Sequence, residues 1–135
     1  MAAEECARYR DVRLDGVTAV RRGDPRLLRR LLRNLLDNAQ RHGAAPIEVR
    51  LLRRGDTAEI VVADRGPVIP DNQAAHLFEP FYRRNTSGRV PGAGLGLSLV
   101  RQIARRHGGE ANYQVTADGN CFVVTLPLNA PVPSG

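Results

Sequence analysis

Leu27, Leu28, Leu31, Leu32, Leu35, Leu36 and Ala39 recur at steps of three and four residues, a period that a helix can bury on one face and a strand cannot. The spacing predicts a helix of about four turns from Leu27 to His42, with a continuous apolar stripe. Asp24 and Pro25 stand just ahead of it, where a carboxylate caps free N–H groups and proline fits the first helical position. Gly43 is placed to end it. A helix with one such stripe must cover something, so the chain needs a second layer.

The remaining patterning supplies that layer. Residues 47–53 and 57–64 read as two strands around Arg54-Gly55-Asp56, and residues 110–116 and 121–127 as two more around Asp118-Gly119. Near the N-terminus, Val12 and Leu14, then Val17 and Ala19, alternate on either side of a turn expected at Asp15-Gly16. A second helix is expected from Leu95 to His107, with Gly108-Gly109 ending it. Between the layers runs a long irregular stretch from about Gly66 to Gly94, with a short helix around Asn72–Leu77. So long a loop usually serves as a lid. The order predicts an α/β (α+β) fold: a two-layer sandwich with a mixed, mostly antiparallel sheet and helices on one face. The domain is expected over residues 1–128, with a flexible lid at 66–94 and a frayed tail at 129–135.

Composition narrows the function classes. At 135 residues and 42% apolar, the chain has the size and apolar content of one domain with one core. It contains no apolar run of membrane-spanning length and no signal-peptide layout. Its two cysteines, Cys6 and Cys121, are far apart and read as reduced thiols of a cytosolic domain. The net charge is +6, and all 20 basic residues are arginines. Basicity alone would suit nucleic acid, but the arginines are dispersed, and three Phe and three Tyr offer few stacking platforms. The absence of lysine excludes a P-loop, whose lysine is obligatory.

Three clusters carry chemistry. Asn34, Asn38 and Arg41 share one helical face beside the leucine stripe. An amide oxygen there suits Mg²⁺ and a guanidinium suits phosphate, although taken alone the same residues read more readily as an ordinary polar face. Asp64-Arg65-Gly66 ends a strand, where a carboxylate can accept from a base amino group; as a lone motif it is an ordinary turn. Gly92-Ala-Gly94-Leu-Gly96-Leu-Ser98 opens a helix, and glycines before free helical N–H groups can wrap a phosphate or merely form a flexible loop.

Taken in order, Asn34-Leu-Leu-Asp-Asn38-Ala-Gln-Arg41-His42, Asp64-Arg65-Gly66, Leu77-Phe78-Glu79-Pro80-Phe81-Tyr82-Arg83 and Gly92-Ala-Gly94-Leu-Gly96-Leu resemble the N, G1, F and G2 boxes of the catalytic ATP-binding domain of bacterial sensor histidine kinases. That family shares the Bergerat fold with gyrase, a heat-shock chaperone and mismatch-repair ATPases, and the resemblance runs from about Asp24 to Leu126. It implies Mg-ATP as ligand, with Asn38 on the metal and Asn34 and Arg41 supporting the phosphates as the catalytic set. It implies His42 beside the nucleotide, Asp64 and Gly66 at the adenine, and Ile69, Leu95 and Leu97 in contact with the ligand. Phe78 and Phe81 would anchor the lid, Arg83 or Arg84 would reach the phosphate, and Gly92, Gly94 and Gly96 would meet the phosphate chain. Hydrolysing relatives carry a glutamate where this chain has Asn34, which cannot act as a general base; the resemblance thus implies transfer to a nucleophile from elsewhere. The implied partners are a dimerisation and phosphoacceptor domain and a response regulator, with no nucleic acid and no membrane contact. The implied setting is cytoplasmic, with the parent kinase anchored in the inner membrane.

Two departures stand out. The expected Asp-x-Gly-x-Gly is Asp64-Arg-Gly66-Pro67-Val68, which predicts a stiffer hinge and admits an alternative reading, a catalytically impaired interaction module of the same fold. The histidines, His42, His76 and His107, lack the acidic neighbour of a phosphoacceptor, and His42 and His107 suit helix ends. The chain is accordingly read as a piece of a larger kinase or as a module acting on a partner.

Overall fold

The leucine stripe forms the helix that its spacing predicts. The structure, a computed structural model, describes residues 12–16, 25–80 and 96–128. In it, α1 runs Pro25–His42. Leu28, Leu31, Leu32, Leu35, Leu36 and Ala39 are each no more than 3% exposed, and Arg41 and His42 occupy the last turn, where cations suit the helix dipole. Burial of that face, more than intrinsic propensity, holds the helix.

Beneath it lies a sheet of five strands, β1 (Val12–Gly16), β2 (Ile47–Arg54), β3 (Thr57–Asp64), β4 (Glu110–Thr116) and β5 (Gly119–Pro127), in the order β1-β2-β3-β5-β4. Among the described residues only β1 and β2 are parallel neighbours. Parallel pairing needs a long crossover, and α1 is that crossover. Among the described residues two further helices join the layer, α2 (Asp71–Ala74) and α3 (Gly96–Arg106).

The inward residues alternate as a half-buried sheet requires. Ile47, Val49 and Leu51 of β2, Ile60 and Val62 of β3, and Phe122, Val124 and Leu126 of β5 join the α1 leucines and Val100, Ile103 and Ala104 of α3 in one core. The opposite sheet face carries a smaller cluster of Val61, Ala63, Cys121 and Val123, with Leu52 against it. Arg50, directly opposite Val61 in the register, pairs on that face with Glu48 at 2.6 Å and Asp118 at 2.8 Å.

Several boundaries differ from the sequence reading. Asp15 and Gly16 form no turn; both are paired in β1, opposite Arg50 and Leu51. Ladder bonds from β2 override the local turn preference of Asp-Gly. The stretch expected after Gly16, like Asp24, lies outside the described residues. The β4–β5 turn is Ala117-Asp118, one residue earlier than expected, because Thr116 already pairs with Gly119. The short helix is one turn, Asp71–Ala74, not 72–77.

Helix α3 does end at Gly108, whose φ of 81° is left-handed. Gly108 N–H donates to Arg105 O at 3.0 Å and Gly109 N–H to Ala104 O at 2.8 Å, the two bonds of a Schellman motif. Gly43 ends α1 for a different reason: it is not among the positive-φ glycines. What requires glycine there is the neighbouring site.

Candidate nucleotide-binding site

Residue alternation along β3 turns Asp64, its last residue, to the helix-covered face, where it is 2% exposed. A buried carboxylate must be hydrogen-bonded. Its Oδ1 accepts from Gly66 N–H at 2.8 Å and from Asn120 Nδ2 at 3.2 Å. A β-carbon on Gly43 would overlap all three carboxylate atoms, so α1 stops against Asp64 only because residue 43 lacks one. One on Gly66 would in turn meet Gly43 Cα at 2.7 Å. Arg65 N–H donates to Ala44 O at 2.9 Å, which fastens the residues after α1 to the end of β3. The end of the asparagine-bearing helix and the Asp-x-Gly turn are thus in direct contact.

The same helix reaches the glycine-rich segment. Asn34 Nδ2 donates to Gly96 O at 3.2 Å, across 62 residues of sequence. Gly96 is the first residue of α3, so this bond sets the α3 N-terminus beside the middle of α1. Asn38, half-buried, lies one turn beyond Asn34 toward the Asp64 end, followed by Arg41, exposed, and His42, half-buried. Leu97 packs against the core edge.

From the third side come residues 66–80. Ile69 is 6% exposed, and its N–H donates to the Tyr113 hydroxyl at 3.1 Å. Leu77 and Phe78 join the core. The Arg101 guanidinium lies 4.5 Å from the centre of the Phe78 ring, while its other contacts are Glu110 at 3.2 Å and Ala111 O at 3.2 Å. This cation–π contact ties the Phe-bearing segment to α3. The first part of the expected lid, residues 66–80, is therefore pinned at Ile69, Leu77 and Phe78. Phe81, Arg83, Gly92, Gly94 and Leu95 lie outside the described residues.

The structure thus brings Asn34, Asn38, Arg41, His42, Asp64, Gly66, Ile69, Gly96 and Leu97 around one end of α1 and its flank, with Phe78 anchored behind. Sequence reading missed Asn120 and Tyr113, since the pairing that sets Asn120 opposite Asp64 joins strands far apart in the chain. It also gave Gly43 only a helix-ending role. Of the remaining histidines, His107 is buried with Nδ1 2.8 Å from Ile103 O, and His76 pairs with Glu79 at 2.6 Å.

Among the described residues no group of three or more His, Cys, Asp or Glu side chains could hold a metal ion. That donor set does not exclude Mg²⁺. This ion keeps waters and takes substrate phosphates with one or two protein oxygens, and Asn38 is a half-buried amide residue of α1, between Asn34 and the Asp64 end.

A buried acid at the end of a central strand, a polar helix face and a glycine-led helix, all on the covered side of a mixed sheet, define an ATP-binding domain of the two-layer α/β type. Residues 23–130 match the family described as "Histidine kinase-, DNA gyrase B-, and HSP90-like ATPase", and the chain belongs to that family. It is 38% identical over 113 residues to the signal transduction histidine-protein kinase AfsQ2 of Streptomyces coelicolor, covering 82% of this chain and 21% of AfsQ2. This chain therefore corresponds to about a fifth of that relative's length. Among solved structures, the mycobacterial sensor histidine kinase MprB superposes with a TM-score of 0.71 at 33% identity, covering 93% of this chain and 89% of that one. The ATP-binding domain of PrrB from Mycobacterium tuberculosis gives 0.70 at 30% identity, covering 96% and 89%. Among the described residues no helix is long and apolar enough to cross a membrane.

Proposed function

We propose that this chain is the ATP-binding catalytic part of a sensor histidine kinase, holding Mg-ATP and presenting its γ-phosphate to a histidine on a dimerisation and phosphoacceptor domain. The observation that carries the proposal is the double engagement of α1. Its end meets Asp64 and Gly66 through Gly43, and its middle meets Gly96 through Asn34. One rigid helix thereby spaces a base-recognising carboxylate from a helix N-terminus suited to phosphate.

Roles follow from chemistry. The Asp64 carboxylate accepts from the adenine amino group. The α3 N-terminus offers N–H groups to the phosphates. Among the described residues a β-carbon on Gly96 would meet nothing within 4 Å, and its φ is not left-handed; packing among those residues therefore does not demand glycine there, whereas close approach of a ligand would. Arg41, exposed on the polar face of α1, would pair with phosphate oxygens. Asn38 would hold Mg²⁺ by its amide oxygen, and the ion would neutralise phosphate charge. Asn34 is an amide already donating to Gly96 O and cannot take a proton from water, so this site favours transfer to an incoming imidazole over hydrolysis. Phe81, Arg83, Gly92, Gly94 and Leu95 complete the proposed nucleotide contacts. The acceptor domain and a response regulator are the proposed partners, in a cytoplasmic setting with a membrane-anchored parent.

Calorimetric titration with a non-hydrolysable ATP analogue, with and without Mg²⁺, tests this reading. Binding that Mg²⁺ strengthens, and Asn38→Ala deprives of that strengthening, is expected. Absence of binding by the folded protein overturns it and favours the interaction-module reading suggested by Pro67 and Val68.

A further inference from the structure

Asp64 is held by Asn120, which is held in turn by Tyr113, and the proposed mechanism gives neither side chain a role. Asn120, 3% exposed, is the direct strand partner of Asp64. Its Nδ2 contacts three acceptors: Asp64 Oδ1 at 3.2 Å, Gly66 O at 3.1 Å and Pro67 O at 3.0 Å. Its Oδ1 accepts from the Tyr113 hydroxyl at 2.6 Å. That hydroxyl in turn accepts from Ile69 N–H at 3.1 Å, and the Tyr113 ring is steadied by Phe122, with centroids 5.2 Å apart.

The direction of this network is forced. A backbone N–H can only donate, so Tyr113 must receive at its oxygen and pass its own proton onward. The Asn120 atom facing it must then be the carbonyl oxygen, which turns the amide NH₂ toward Asp64. A flipped amide would set two donors against each other at Tyr113 and an oxygen against a carboxylate at Asp64. Oδ1 of Asp64 therefore receives two donors, Gly66 N–H and Asn120. Among the described residues no donor reaches Oδ2. The carboxylate is pinned in one rotamer with one oxygen available, which suits a ligand that brings an N–H.

We infer that Asn120 and Tyr113 are positioning residues for base selection. They orient Asp64 toward an amino-bearing purine and fasten residues 66–69 to the sheet. The inference rests on the nucleotide reading above. It also supplies a physical role for a stiff Pro67-Val68 segment: carbonyls 66 and 67 both end on the Asn120 amide, so this turn is built to stay still.

The test compares ATP with purine riboside triphosphate, which lacks the 6-amino group, on wild type, Asn120→Ala and Tyr113→Phe. Wild type is expected to prefer ATP by about tenfold or more, the worth of a hydrogen bond to a charged group. Both variants are expected to lose most of that preference, chiefly by weaker ATP binding. The Ile69 amide of Tyr113→Phe is expected to exchange with solvent about tenfold faster. Tyr113→Phe keeps the ring and the core contact with Phe122, so it carries the test if Asn120→Ala does not fold. Equal loss of affinity for both nucleotides, or a preference that survives both substitutions, overturns the positioning role and leaves the nucleotide reading standing. A folded wild type that binds neither nucleotide overturns both.

Discussion

Replacing Gly43 by alanine puts two physical effects in opposition, and the sign of the result separates them. Gly43 is not in the left-handed region. On chain entropy alone, Gly43→Ala should stabilise by about 0.4–1 kcal/mol. The site predicts the reverse. The new methyl would sit inside contact distance of the Asp64 carboxylate, which is tethered by Gly66 N–H at 2.8 Å and Asn120 at 3.2 Å. Overpacking of this kind costs about 1–3 kcal/mol, and each strained bond to a charged group is worth about 1.5–3 kcal/mol. A net loss of about 3 kcal/mol is expected, which is a fall in Tm of about 10 °C for a domain of this size. Urea unfolding of wild type, Gly43→Ala, Asp64→Ala and the double variant measures it. In the Asp64→Ala background the carboxylate is gone, and the same glycine replacement should turn neutral or stabilising. If Gly43→Ala alone is as stable as wild type, Asp64 is not held against the end of α1, and that helix does not join the Asp64 turn to the start of α3.

Four further outcomes follow from particular contacts. Phe78→Ala, which empties a core position and removes the partner of Arg101, should cost about 3–5 kcal/mol in urea unfolding. Asn34→Ala, which breaks the bond to Gly96 O, should cost about 1 kcal/mol of stability and speed amide exchange in the first turn of α3. Val68 is 61% exposed, so Val68→Gly loses little packing and should cost only the added chain entropy of glycine, about 0.5–1 kcal/mol, and a change in ATP affinity beyond that would report on the turn itself. The Arg50 guanidinium, by hydrogen bond and by charge, holds the Asp118 carboxyl below its ordinary 3.8, and the Ala111 N–H, then Arg105, hold the Glu110 carboxyl below 4.5. Both carboxyls bind protons more weakly when folded, so their contribution is fully present above those ordinary values and is lost as pH falls through the lower folded ones. Asp118→Asn should therefore flatten the acid limb of a stability–pH curve below about pH 4, and salt near about 1 M should shrink the difference because the pair is only half-buried.

How much of this was legible depends on the distance over which each feature is specified. The leucine stripe, the Gly55-Asp56 turn and the Gly108 stop are local, and each residue carries its own instruction: a period, a turn preference, a tolerance for positive φ. Asp15-Gly16 carried an equally clear local instruction and was overruled, because the bonds that keep it extended come from β2, thirty-five residues onward in the register. The site divides in the same way. Asn34, Asp64 and Gly96 could be picked out because each sits in a short pattern, and the order of those patterns along the chain carries what no single one does. Asn120 sits in no such pattern. Its importance arises from the antiparallel pairing of β3 with β5, which sets residue 120 opposite residue 64, and a one-residue slip would turn it to the other face. Gly43 is the sharpest case. It read as a helix terminator, and it does follow the helix, yet the constraint on it comes from a carboxylate at the end of another element. A glycine after a helix has two distinguishable causes, backbone conformation and close approach, and sequence offers no means of separating them. The φ angle and the clash with Asp64 do separate them here, which makes residue 43, more than any of the recognisable motifs, the position where the fold and the proposed site impose the same requirement.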